Sequence, residues 1–590
     1  MRLTILTIAA LVGTVVAASA QINDFSLSEL MSERTNARGV LFNRDLMTIS
    51  DMVNLSQTDY SSYNTARSAG LSGAVTALGA DASVMSVNPA GLGMYRSNEF
   101  SITFADMMGN TLVDGGSQTG SSHTNKFAVG NLSFVANLYQ SGVTPVTAVN
   151  FGFAYNRTAN FNQQYSVKSV GASSSVANMF SRQLTSFGVS LNELYGSNNP
   201  DWSYMPSNLW GAALGYKTGL TFQDYGDTPD DYYTTDPDGT ESSNYRDPIT
   251  SGDVAWSASW IPVGSTVDQY MTYVSEGSAN EYDFSLGANL GNKLYFGTTI
   301  GIQSIYQRID IYYNESYNST SGSTTTPTLE ASSYNQTIIT RGAGINAKFG
   351  LTYRSGDLRV GLAYHTPTSI SYSREYQASV AGGSTFTESD GTVVTNSVAA
   401  DSPVLEDSGS NRWVMNSPQK LLLGVAYTFN NRALISADYQ VDFYKSMKMK
   451  STPTGVSTDV YSGISSLLNN VNNVRVGAEY KLTPITTLRG GYSFSTSVVN
   501  DSAAKSAGLW DIPVNNSYRG FSAGIGFMMS TRAYFDISYT NQLTTQSEYA
   551  MFYAEGTINS NAPSAESAQS IRLMSKIREQ NILATFRFYM

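Results

Sequence analysis

The sequence predicts an all-β protein: a 14-stranded antiparallel transmembrane β-barrel with an N-terminal plug and long extracellular loops, one of them partly helical. Three observations predict it. Segment after segment alternates apolar residues with polar or small ones at period two, the mark of strands with unlike faces. These segments come in pairs joined by tight polar turns, with long polar stretches between pairs. The last of them, NILATFRFYM, places Ile582, Ala584, Phe586, Phe588 and Met590 on one face, as an outer-membrane assembly signal does.

Composition narrows the class. Of 590 residues only 14% are charged, against about 25% in an average globular chain, while 38 are Tyr and 50 are Gly. That mixture fits a large β protein with aromatic girdles. The net charge of −11 argues against nucleic-acid binding, which needs a basic footprint. With no Cys, disulfides, thiolate metal sites, a Cys nucleophile and a lipid-modified N-terminal Cys are all excluded.

The N-terminus reads as a signal peptide over residues 1–20. Arg2 supplies the positive end, LTILTIAALVGTVVA the apolar stretch, and Ala18, Ser19 and Ala20 the small-residue site before Gln21. The apolar run is short for a helical span of about 20 residues, and no later stretch approaches ~18 consecutive apolar residues. Residues 21–96 precede the first strand. They combine a short helix at SLSELMSER with small-residue runs such as SAGLSGAVTALGADAS.

The strands follow over residues 97–590, starting near 97, 125, 145, 279, 293, 335, 358, 418, 433, 473, 486, 518, 532 and 577. An even number closes a barrel with both ends in the periplasm. In VNFGFAY, Val149, Phe151, Phe153 and Tyr155 oppose Asn150, Gly152, Ala154 and Asn156. In DLRVGLAYH, Leu358, Val360, Leu362 and Tyr364 oppose Arg359, Gly361, Ala363 and His365. In VRVGAEYKL, the apolar face opposes Arg475, Gly477, Glu479 and Lys481. Charge beside glycine suits a wet, crowded lumen, and the apolar face suits lipid.

A long connection, residues 163–278, separates the third and fourth strands and should carry structure of its own. Val176, Phe180, Leu184, Phe187, Leu191 and Leu194 recur at helical spacing, and Trp202 and Trp210 follow. These residues line a binding groove, cap the barrel, or pack on one another. The same connection holds eight carboxylates between Gln223 and Pro248. Asp236, Asp238 and Glu241 cluster, but no EF-hand pattern is present, and a solvated loop with no metal is expected.

The stretch just before the first strand carries a resemblance. ARSAGLSGAVTALGADASVMSVNPAGL, Ala66 to Leu92, resembles the N-terminal hatch of the FadL/TodX family of outer-membrane transporters. The shared elements are an acid-Ala-Ser step, Asp81 to Ser83, and an Asn-Pro-Ala-Gly-Leu step, Asn88, Pro89, Ala90, Gly91 and Leu92. Pro89 fixes its φ, and Gly91 and Gly93 permit close backbone approach. The resemblance implies a fourteen-stranded barrel in a Gram-negative-type outer membrane, plugged by residues 21–96. It implies uptake of long-chain fatty acids or other hydrophobic small molecules; a monomer in outer-membrane lipid with no cofactor is expected, and with no evident energy-coupling segment, uptake by diffusion. It also implies hatch rearrangement and lateral exit beside a kinked strand, with Gly152 the kink by position.

An acidic ligand needs a cation, and the inward-facing candidates are Lys348, Arg359, Arg475, Arg489 and Arg587. Each can instead pair across the lumen with Asp438, Asp536 or Glu479. Other readings remain: a structural or secretion-linked barrel whose loops bind protein or glycan, and haem uptake through a Tyr ligand. An enzyme is not expected. Only His123 and His365 exist, and neither lies in a nucleophile motif.

Overall fold

The computed structural model describes residues 49–59, 62–114, 120–172, 175–194, 200–202, 205, 207–224, 234–235, 241–242, 255–258, 266–318, 328–387, 393–405, 412–451, 458–459, 464–500, 517–550 and 572–590. The expected signal peptide, the helix at SLSELMSER, Asp236 and Asp238 lie outside them.

Fourteen strands form the wall: β1 (Glu99–Asp114), β2 (Gly120–Gln140), β3 (Val146–Asn160), β4 (Thr266–Leu290), β5 (Leu294–Asn318), β6 (Thr328–Ser355), β7 (Leu358–His365), β8 (Lys420–Phe429), β9 (Ala433–Asp442), β10 (Val471–Lys481), β11 (Thr486–Ser495), β12 (Tyr518–Ser530), β13 (Ala533–Ala550) and β14 (Arg572–Tyr589). Each pairs antiparallel with the next, and β14 returns to β1 with Tyr589 opposite Glu99, so the barrel is closed. The turns on one side are short. The β8–β9 turn holds Asn430 and Asn431 at positive φ, and the β4–β5 turn holds Gly291 and Asn292 there, as tight hairpins require.

Alternation sorts the two faces. Along β5, Phe296, Ile300, Ile302 and Tyr306 are exposed outward, an apolar band about ten residues long, which is what a tilted strand needs to cross hydrocarbon. Tyr295, Thr299, Gln303 and Gln307 are buried inward. Above Tyr306 the outward positions turn polar, with Arg308 hydrogen bonded to Asp310, so the wall continues beyond the apolar band. The same continuation extends β4 back to Thr266, and a strand at Gln163–Ala172 pairs with it. The connection expected over 163–278 therefore begins and ends as wall. Further strands, Ser369–Thr387, Val393–Asp401 and Arg412–Asn416, add to the same rim.

The rest of that connection folds into the barrel mouth. Helices α4 (Val176–Ser186), α5 (Leu191–Leu194) and α6 (Trp210–Lys217) pack with Trp256 against Ile309, Ile311 and Tyr313 of β5 and Tyr334 of β6. Phe180 meets Tyr334 edge-on at 5.1 Å, and Trp210 meets Trp202 at 5.4 Å. Glu315 of β5 fixes the start of α4. It accepts from Val176 N at 2.9 Å, Ser175 Oγ at 2.8 Å, Tyr313 Oη at 2.7 Å and Tyr317 Oη at 2.6 Å.

Candidate functional site: a plugged lumen and a seam in its wall

The plug is built from short turns because its residues are small. Helix α1 (Ile49–Ser56) comes first; Thr65 Oγ1 then accepts from Ser68 N and caps helix α2 (Ala66–Gly70). Ser72, Gly73 and Ala80 take positive φ and reverse the chain. Helix α3 (Val84–Val87) leads to Asn88, whose side-chain oxygen accepts from Ala90 N and starts a 3-10 helix at Pro89–Met94. Pro89 sits where its missing N–H costs nothing.

This segment lies on a track of lumen-facing glycines. A Cβ on Gly297 of β5 would stand 2.1 Å from Pro89 C and O, and one on Gly350 of β6 would stand 2.1 Å from Asn88 Oδ1. Gly297 is paired directly with both Gly287 and Gly350, so three adjacent strands offer bare backbone at one level. The track continues around the wall. Thr76 O lies over Gly361 of β7, and Leu71 lies over Gly477 of β10 and Gly491 of β11.

Hydrogen bonds fix the seating. Asn88 Nδ2 donates to Thr76 O at 2.6 Å and to Thr352 Oγ1 at 3.2 Å. Thr76 N donates to Asp438 at 2.8 Å, Ala66 N to Thr585 at 2.7 Å, and Ser86 Oγ to Asp283 at 2.8 Å. Asn150 of β3 donates to Leu92 O, and His365 Nε2 donates to Val87 O at 2.9 Å. Asp81 accepts from Thr65 Oγ1 at 2.7 Å and Ser83 Oγ at 2.6 Å, with Arg587 at 3.8 Å. Burial pushes the Asp81 carboxyl up. Arg587 and Arg67 outweigh it, with help from Ser83 and Thr65, and hold the carboxyl below the usual carboxylate range.

Most of the expected cations are engaged elsewhere. Lys348 is sealed between Glu281 at 2.5 Å and Asp283 at 2.8 Å. Arg489 bridges Glu479 and Asp536, and Arg587 joins Asp536 at 2.6 Å. Arg359 is half-buried opposite Arg354, near the short-turn end. Arg475 alone of the five borders an open space. It donates to Gln440 at 2.8 Å, and its Nε is buried without a partner.

That space is a cavity of about 210 Å³ on the long-loop side of α2. It is lined mainly by polar groups, among them Asp59, Lys420, Gln440, Arg475 and Glu579. The apolar loop residues contribute nothing to it. Phe180, Leu184, Leu191 and Trp210 are buried in the core of the mouth, Trp202 packs against that core, and only Phe187 is exposed. The expected groove is therefore a packed cap, because β5 and β6 supply the surface that the helical stripe needs.

The wall has one seam among the described strands. β2 and β3 pair from Gln140 opposite Ala148 up to Asn131 opposite Asn156 and no farther. Beyond that point β2 pairs with β1 alone and β3 with β4 alone. Gly130 sits at the bulge in β2, and its missing side chain makes room for Tyr63 O, 2.4 Å from where a Cβ would be. β3 is bulged between Arg157 and Ala159 and breaks at Phe161–Asn162, opposite Gly277 at φ +137°. Thr158, Ala159, Asn160, Phe161 and Asn162 also line the cavity, so the cavity reaches the seam. Gly152 is not the kink. It keeps register with Val135 and Ser285, and its open face receives Met85 and Leu92 of the plug.

No protein-family profile matches the chain, and no curated protein matches it. Solved structures are similar to it. The Pseudomonas putida toluene transporter TodX is 13% identical, covers 90% of this chain and 99% of its own, and gives a TM-score of 0.46. The Ralstonia pickettii toluene transporter TbuX is 14% identical over 91% and 99%, at 0.45. A Pseudomonas aeruginosa FadL homologue is 11% identical over 90% and 98%, at 0.45. The fourteen-stranded architecture rests on this chain's own strand pairing.

Sequence reasoning missed the seam and the cavity. Tyr63 and Asp59 carried no motif, and the end of the β2–β3 ladder is a matter of register. The glycine track was visible in part, as Gly361 and Gly477 among charged lumen positions.

Proposed function

We propose that the chain is an outer-membrane channel for passive uptake of hydrophobic small molecules such as long-chain fatty acids. One observation carries the reading: the plug closes the lumen on bare glycine backbone, and the cavity above it opens toward a seam in the wall at the level of the apolar band. A ligand entering from outside reaches the cavity, where polar groups receive its head. Rearrangement of the plug segment around Tyr63 then frees the seam, and the ligand leaves sideways into the membrane. The resemblance of Asp81–Leu92 to the FadL/TodX hatch supports the same route. One chain closes the barrel by itself, so a single copy suffices for this route.

Uptake into liposomes holding the purified protein tests this. A long-chain fatty acid is compared with a charged sugar of similar size, using intact protein and a form lacking residues 21–95. The expected result is fatty-acid passage through the intact protein and sugar leak only after plug removal. No fatty-acid passage in either form refutes the reading.

A further inference from the structure

Arg157 is the first residue of β3 past its last pairing with β2, since Asn156 is the partner of Asn131 and Arg157 has none on that strand. On its other edge it faces Asn280 of β4. Its level in the wall follows from register. Asn280 lies opposite Ser304 of β5, between Ile302 and Tyr306, so Arg157 sits near the top of the apolar band.

The side chain is only 9% exposed, yet its Nε and one terminal nitrogen are buried with no hydrogen-bond partner. Among the described residues no carboxylate forms an ion pair with it. The ionisable groups that bear on it are the tyrosines Tyr155 and Tyr63. Tyr63 belongs to the plug, and its own hydroxyl is given to Glu579. Buried polar groups are almost always satisfied, and a buried charge without an acceptor is expensive. Other buried arginines have carboxylate or amide acceptors: Arg374, on the strand Ser369–Thr387, has Asp51, Arg489 has Glu479, Arg475 has Gln440 and Arg587 has Asp536. Arg157 is the exception, and it stands in the one gap of the described wall.

We propose that Arg157 is an anion-binding residue of the seam, taking the carboxylate or phosphate of an amphiphile that crosses the wall between β2 and β3. The guanidinium fork suits either group, because both offer two oxygens to paired N–H donors. The proposal rests on the lateral route above and adds the charge selection made along it. Tyr63 covers the site from the lumen, so withdrawal of the plug segment and arrival of the anion at Arg157 are linked. A bulge at Thr158 beside the arginine gives the strand the slack to admit a ligand.

The test is binding of dodecyl phosphate, laurate and dodecanol to the full chain in a neutral detergent, followed by native mass spectrometry. The expected result is that Arg157→Gln weakens both acids about tenfold to a hundredfold and leaves dodecanol unchanged. Arg157→Lys should recover part of the loss for the acids, which a merely structural role does not predict. Arg432→Gln, at a short turn, controls for total charge. Heat-modified gel mobility reports whether each variant keeps a closed barrel. Equal affinity of Arg157→Gln and the wild type for the acids overturns the proposal. If none of the three ligands binds the wild type, the uptake reading fails first and the proposal falls with it. Nanodiscs with and without phosphatidic acid separate the sources of the anion. Competition by that lipid assigns the site to a membrane phosphate, and its absence assigns the site to a ligand in transit.

Discussion

Replacing Gly297 with Ala should loosen the plug without opening the wall. The added methyl would begin 2.1 Å from Pro89 C and O and 2.5 Å from Ala90 N. Ordinary contact starts near 3.4 Å, and all three atoms are backbone, so no rotamer can absorb the clash. Pro89 cannot bend away freely, because Asn88 ties the turn to Thr76 and Thr352. Overpacking of this kind costs about 1–3 kcal/mol, and such an energy shifts the ratio of seated to unseated plug roughly 5- to 150-fold. Two readouts follow it: leak of a small neutral sugar from liposomes, and tryptic cleavage after Arg67 or Arg96. Gly142→Ala is the control, since nothing lies within 4 Å of its Cβ position. If Gly297→Ala is as tight and as protected as the control, the glycine track is not what seats the plug.

Three further outcomes are expected. Asp81 titrates below the ordinary carboxylate range, so its hold on the plug is complete above about pH 4 and is lost as pH falls through its depressed value. Sugar leak measured down a pH series should rise only below about 4, and Asp81→Asn should remove that step. Glu315→Ala leaves the hydroxyls of Tyr313 and Tyr317 and the amide of Val176 without their acceptor. A loss of about 1.5–3 kcal/mol should free the cap, read as faster tryptic cleavage after Lys217. Leu184→Ala, fully buried in the same core, should lower the unfolding free energy of the cap by about 2–5 kcal/mol, read by the same cleavage at increasing temperature.

The strands were legible because lipid on one side and a crowded lumen on the other impose period two. Every expected strand has a counterpart in the wall, and the starts on the short-turn side, such as 293 and 433, fall within a residue of Leu294 and Ala433. The far ends were harder. The start expected near 279 lies at Thr266, and the one expected near 577 lies at Arg572. Above the hydrocarbon both faces of a strand meet water or protein, as at Arg308, Asp310 and Glu276, and the contrast that marks a strand disappears. The strands at Ser369–Thr387 and Val393–Asp401 were hidden for the same reason. Lumen cations could be found but not assigned. Lys348 reads like any inward lysine until register brings Glu281 and Asp283 beside it. Arg157 drew no notice, because its meaning lies in a pairing that β2 does not make.

The closing strand has one more consequence. β14 joins β1 to complete the ring, and the same strand holds the plug through Thr585 on Ala66 N and Arg587 near Asp81. One strand thus both seals the ring and seats the plug. In an empty ring Thr585 would keep Thr103 and Arg587 would keep Asp536, and each would lose only its contact with the plug. Closing the ring and seating the plug are therefore coupled through a single strand.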